Sequence, residues 1–172
     1  FLVARDGTVF EGVGIDQELL ATLPWLDGVK LTRERDGFQP IVGMPAVAEL
    51  LAKAKLEAEN LYRTWEVVSM ARLESDGEIE VRASNVKRII FGTNEDYFRQ
   101  LARLDLLLDK AREHTDRPLR EVNLSIGAQV PVAIDEAVAA PAGNAATETQ
   151  PAPAARLPAL PAFPNLQRNT KL

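Results

Sequence analysis

The sequence predicts an α+β fold: an antiparallel-rich β-sheet with two helices on one face, ending in a β-hairpin and followed by a disordered tail. Three observations carry this reading. Two stretches repeat apolar residues at three- and four-residue spacings, as an amphipathic helix does. Short runs of period-two alternation surround them, separated by Asp-Gly, Ser-Asn and Gly-Ala turn signals. A sharp change of composition then falls at Asp135 and Glu136. The body is therefore placed at residues 1–135 and the tail at 136–172.

Taken in order, Phe1 to Ala4 and Thr8 to Phe10 read as short strands around the tight turn Asp6-Gly7. Leu23-Pro24-Trp25-Leu26-Asp27-Gly28 reads as a turn with two bulky apolar anchors. Val29 to Arg35 alternates and stops at Asp36-Gly37. Pro45 suits a first helical position, and Val47, Leu50, Leu51, Ala54, Ala58 and Leu61 form the apolar stripe of one helix. Trp65 to Leu73 is rich in β-formers, and Ser75-Asp76-Gly77 is a hairpin signal. Ile79, Val81 and Ala83 alternate with Glu78, Glu80 and Arg82; a turn at Ser84-Asn85 leads to Val86–Phe91, completing a meander.

The second helix spans residues 94–113. Thr93-Asn94-Glu95-Asp96 supplies a cap and acids, and Tyr97, Phe98, Leu101, Leu104, Leu108 and Ala111 supply the stripe. Lys110, Arg112 and His114 suit its last turn, and Pro118 ends it. Val122, Leu124 and Ile126, a turn at Gly127-Ala128, then Val130, Val132 and Ile134 make the closing hairpin.

The tail cannot build a core. From Ala137 to Leu172, six prolines interrupt a run with eleven alanines and four charges, too little apolar bulk to offset ordering entropy. Across 172 residues, 20 Lys and Arg against 25 Asp and Glu give a net charge of −5, which argues against a nucleic-acid groove. Absent Cys and a single His exclude disulfides, thiol nucleophiles and multi-His metal clusters. No apolar run approaches the roughly 20 residues that span a bilayer. The chain opens on Phe1 without an initiator Met and is expected to be a fragment.

No residue set invites catalysis. His114 reads as a helix C-terminal cap, Glu78 and Glu80 as solvated charges of a strand face, and Trp25 and Trp65 as core anchors. Gly12-Val13-Gly14 lacks the third glycine of a dinucleotide motif. Nothing asks for a cofactor or a metal, and the chain is read as non-enzymatic.

The ordered motifs resemble a family. Leu2-Val3-Ala4-Arg5-Asp6-Gly7-Thr8-Val9-Phe10 is similar to the strand–Asp-Gly–strand entry of the FtsQ/DivIB cell-division proteins, and Leu23-Pro24-Trp25-Leu26-Asp27-Gly28 to their Leu-Pro-x-Leu-x-Gly turn. Arg88-Ile89-Ile90-Phe91-Gly92 before the Tyr97–Leu108 helix resembles their strand-Gly-helix step. Val122-Asn123-Leu124-Ser125 stands where the family carries an Asp-Leu-Arg strand, with Asn123 and Ser125 neutral where it is charged. The resemblance covers about residues 1 to 135.

It implies a non-enzymatic scaffold of the bacterial septal machinery, on the extracytoplasmic (periplasmic) face of the inner membrane. A single transmembrane helix and a POTRA domain would precede this β domain. The implied partners are small single-pass coiled-coil proteins, FtsB/DivIC-like and FtsL-like, recruited by strand addition at the terminal strand. That strand is Gln129, Val130, Pro131, Val132, Ala133 and Ile134. If Val130, Val132 and Ile134 pair inward, the backbone groups of Gln129, Pro131 and Ala133 point outward. The alternatives from other classes are a small extracytoplasmic ligand-binding domain or enzyme, and a scaffold of outer-membrane assembly or secretion.

Overall fold

A computed structural model describes residues 1–35, 37–114, 119–127 and 129–134. The expectations placed on Asp36, the His114 side chain, Pro118, Ala128 and the tail from Glu136, with its boundary, lie outside the described residues.

β1 (Leu2–Val3) and β2 (Val9–Phe10) pair antiparallel around the expected turn. The Asp6 carboxylate accepts the Thr8 N–H at 2.9 Å. Gly7 has φ 92°, and a Cβ there would lie 2.4 Å from the Ile41 carbonyl oxygen, so both conformation and space demand glycine. A five-residue helix, α1 (Gln17–Ala21), follows a cap by Asp16. It is too short to show a period, and the sequence reading has no element there.

β3 (Trp25–Asp27) occupies the segment expected to be a turn. Leu26 packs against the core, but Trp25 is 79% exposed. The expectation of a core-anchoring Trp25 is therefore overturned, because an edge strand turns alternate residues to opposite faces. Trp25→Ala is expected to change unfolding free energy by less than about 0.5 kcal/mol, the range for surface substitutions, by urea titration.

β4 (Arg33–Glu34) and β5 (Gly37–Phe38) form a small hairpin in place of the longer strand expected from Val29. The first long helix breaks in two. α2 (Met44–Glu57) begins with Pro45 in its first positions and ends at Ala58, whose φ −144° and ψ 53° interrupt the helix before α3 (Glu59–Tyr62).

β6 (Trp65–Ser69) leads into α4 (Leu73–Asp76), where a simple hairpin turn was expected. Gly77 adopts the left-handed conformation as the cap of that helical turn, and its N–H donates to the Leu73 carbonyl. The chain still reverses into β7 (Glu78–Ala83), β8 (Val86–Gly92), α5 (Tyr97–His114), β9 (Leu119–Asn123) and β10 (Val132–Ile134).

The main sheet has six strands in the order β10-β9-β8-β7-β6-β3. Three of its five ladders are antiparallel; β3 with β6 and β8 with β9 run parallel. Each parallel pair is bridged by a long helix, α2 or α5, and both crossovers step the same way across the sheet. Right-handed connection then puts both helices on one face. They touch there: Lys53 reaches Asp96 at 3.4 Å, and Asn60 of α3 donates to Asp105 at 3.1 Å.

The core lies between that helical layer and the sheet. Val47, Leu50 and Ala54 from α2, Leu101, Leu104 and Leu108 from α5, and Val68, Ile79, Val81, Ile89, Phe91 and Val122 from the strands are buried. Trp65 is the anchor that the sequence suggests, its ring 5.6 Å from Phe91 and 6.0 Å from Tyr62. Phe98, assigned to the stripe, is exposed instead. It follows Tyr97 directly, about 100° further round the helix, and only one of the two can face inward.

Candidate partner-binding edge

Glu78, Glu80 and Arg82 of β7, Arg88 of β8 and Glu121 of β9 lie on the sheet face away from the helices. Glu80 sits opposite Ile90 in the β7–β8 register, and Arg88 opposite Glu121 in the β8–β9 register. The Arg88 guanidinium donates to Glu80 at 2.9 Å and to Glu121 at 3.2 Å. Arg82 donates to Asp27 at 3.0 Å. Glu78 pairs with Arg72 at 3.0 Å and accepts from the Ser125 hydroxyl at 2.8 Å. Glu78 and Glu80, expected as solvated charges, are thus partly buried and paired.

Among the described residues no group of three or more His, Cys, Asp or Glu is placed to hold a metal ion. A concavity of about 780 Å³ beside the β4–β5 hairpin is lined by Arg33, Glu34, Arg35, Gly37 and Phe38, a set with no nucleophile beside a base. No described helix is long and apolar enough to cross a membrane.

The expected terminal strand is an edge of the sheet. β10 pairs on one side with β9, in the register Val132↔Val122 and Ala133↔Glu121, and no described strand pairs with its other side. Gln129, Pro131, Val132, Ala133 and Ile134 are exposed, and Val130 packs partly against the core. The strand is shorter than the six residues expected: Gln129, Val130 and Pro131 precede it as irregular chain.

The backbone directions also differ from those expected. The Asn123 N–H donates to the Pro131 carbonyl at 3.1 Å, so Pro131 faces β9. Beside that bond Val132 and Val122 form a pair that exchanges no hydrogen bonds, which turns both backbone groups of Val132 outward and those of Ala133 inward. Pro131 has no N–H to return to Asn123, and the ladder stops there. The outward expectation for Pro131 and Ala133 is corrected, and the group offered to a partner is Val132.

Local contacts hold this edge in place. Arg103 on α5 donates to the Gly127 carbonyl at 2.9 Å and to the Glu95 carboxylate. The Arg103 hydrogen bond holds the Glu95 carboxyl below its ordinary pKa. The Asn123 carboxamide oxygen accepts from the Ser125 N–H at 2.9 Å, fixing the turn that leaves β9. Sequence reasoning finds neither Arg103 nor the Glu80–Arg88–Glu121 row, because both depend on register and on which helical face meets which loop.

Comparison with protein-family models, with curated proteins and with solved structures finds no match.

Proposed function

We propose that this chain is the extracytoplasmic β domain of an FtsQ/DivIB-type scaffold of the bacterial divisome, with no catalytic role. In this reading it recruits FtsB/DivIC-like and FtsL-like coiled-coil proteins by strand addition and so supports septal cell-wall synthesis. The full-length protein would be anchored in the inner membrane by one helix upstream of this domain.

One observation carries the reading. The last strand of the body lies at the edge of the sheet, with the Val132 N–H and C=O directed away from its neighbour. An extended segment laid along β10 would find that donor and acceptor waiting, and main-chain pairing of this kind supplies affinity largely independent of side chains. The order of elements from hairpin to terminal hairpin supports the same reading, since it follows the ordered motifs of the resemblance.

The test is amide exchange by NMR on the chain, alone and with the extracytoplasmic segment of the FtsB/DivIC-type protein from the same genome. Exchange of the Val132 amide is expected to slow at least about tenfold in the complex. Val132→Pro removes only an outward donor, so it is expected to abolish binding while leaving the melting temperature nearly unchanged. Unaltered exchange at Val132, or full binding by Val132→Pro, would sink the proposal.

A further inference from the structure

We infer that the β10 edge selects a partner strand carrying Lys or Arg at the position opposite Ala133, recognised by Glu121 across the small Ala133 side chain. This rests on strand addition at β10.

Laterally aligned residues of neighbouring strands share a face. Glu121 lies between Arg88 on β8 and Ala133 on β10, and a residue of an added strand opposite Ala133 would extend the same row. Strands lie about 4.8 Å apart, so that residue and Glu121 would be roughly 10 Å apart at the backbone. Ala133 places only a methyl between them, and a long basic side chain can lean over it.

The charge of the row is what chooses the sign. Two carboxylates, Glu80 and Glu121, share the single guanidinium of Arg88. The other cations of this face are committed: Arg82 to Asp27, and Arg72 to Asp76 and Glu78. Lys87 and Arg120 adjoin Arg88 and Glu121 in sequence, and alternation turns them to the opposite face. Asn123 is neutral and occupied by Ser125. Among the described residues one carboxylate equivalent therefore remains uncompensated on this face, and it stands at the end of the row nearest the edge, where the Glu121 side chain keeps 37% of its exposure. An acidic residue arriving there meets like charge, and an apolar one leaves the carboxylate partly desolvated; both disfavour the wrong partner.

The experiment selects displayed random twelve-residue peptides on the full 172-residue chain. The selected peptides are then sorted by whether they slow exchange of the Val132 amide. Those that do are expected to share Lys or Arg at one aligned position. Replacing that residue by Glu is expected to weaken binding at least about tenfold, combining a lost attraction with a new repulsion. Glu121→Gln, which leaves Arg88 its bond to Glu80, is expected to weaken the basic peptides about threefold, the scale of a partly exposed ion pair. Glu121→Lys is expected to prefer the Glu-substituted peptide, and melting curves confirm that both variants fold.

Peptides that protect Val132 with no basic preference, or that bind wild type and Glu121→Gln equally, would overturn the inference and leave strand addition standing. Failure of every peptide to protect Val132 would overturn strand addition itself. Protection of Val132 by self-association, with a dimer in sedimentation, would assign the edge to a second copy and overturn the inference too.

Discussion

Leu104→Ala is expected to lower the unfolding free energy by roughly 2–5 kcal/mol, the range for truncating a buried leucine. Leu104 is 0% exposed and lies mid-helix in α5, within the cluster that includes Leu101, Leu108 and Phe91. The cost has two parts, lost transfer of the removed atoms and the cavity they leave. A rigid six-stranded sheet lies on one side of the helix, and α2 and α3 are tied to it by Lys53–Asp96 and Asn60–Asp105. The site therefore has little freedom to collapse, which favours the upper part of the range. Phe98→Ala is the control on the same helix: an exposed ring gives up little on truncation. Urea titrations of both variants with equal slopes decide the matter. A loss below about 0.5 kcal/mol for Leu104→Ala would mean that α5 presents a different face to the sheet.

The α+β class was legible because the strongest signals came from long amphipathic elements. The α5 stripe of Tyr97, Leu101, Leu104 and Leu108 is a 3.6-residue period sustained over about three turns, and the structure buries every one of them. The meander was equally plain, since Ile79, Val81 and Ala83 alternate cleanly between turn signals, and β6, β7 and β8 pair antiparallel in order. Short elements were not legible. Three residues of β3 cannot display a period, and their strand character comes from pairing parallel to β6, forty residues away in sequence. Ser75-Asp76-Gly77 has the composition of a hairpin turn, but a left-handed glycine serves a helix cap as readily, and Leu73–Asp76 adds the helical turn.

The edge was only partly legible for a related reason. That the last strand would be peripheral followed from chain order, but which backbone groups it offers depends on a register offset of one residue. Slipping by one exchanges Pro131 and Val132 between inward and outward, and the alternation of Val130, Val132 and Ile134 specifies side-chain faces without specifying hydrogen-bond direction. The single bond from Asn123 to Pro131 resolves it. Likewise, Glu80, Arg88 and Glu121 are three unremarkable charges in the sequence. Arg88 and Glu121 come into one row, with Glu80 diagonally in reach of Arg88, only when three strands align.

Gln100→Leu is expected to cost about 3 kcal/mol, although the replacement is apolar, similar in size and a better helix former. Among the described residues Gln100 is the buried polar residue of the core, 0% exposed, and its carboxamide is fully used. Its oxygen accepts the Gly92 N–H at 2.9 Å; its nitrogen donates to the Gly92 carbonyl at 2.7 Å and the Glu95 carbonyl at 2.9 Å. The two Gly92 groups lie at the end of β8 as it passes Ser125, so close that a Cβ on Gly92 would lie 3.0 Å from the Ser125 Cα, and the Glu95 carbonyl belongs to the turn before α5. Leucine would strand a backbone donor and two acceptors, at about 1–3 kcal/mol for each group left buried without a partner. The added apolar burial offsets part of that. Gln100→Glu separates hydrogen bonding from packing. Burial disfavours its ionised form and raises the folded-state pKa above the unfolded one. Whatever the protonated side chain contributes is then fully present below the unfolded pKa and is lost as pH rises through the folded pKa. Stability of Gln100→Glu relative to wild type is therefore expected to fall from acid to neutral pH, whereas the Gln100→Leu deficit should change little over that range. Equal stability of Gln100→Leu and wild type in urea titration would mean that Gly92 and Glu95 find other partners and that the carboxamide is not what fixes this junction.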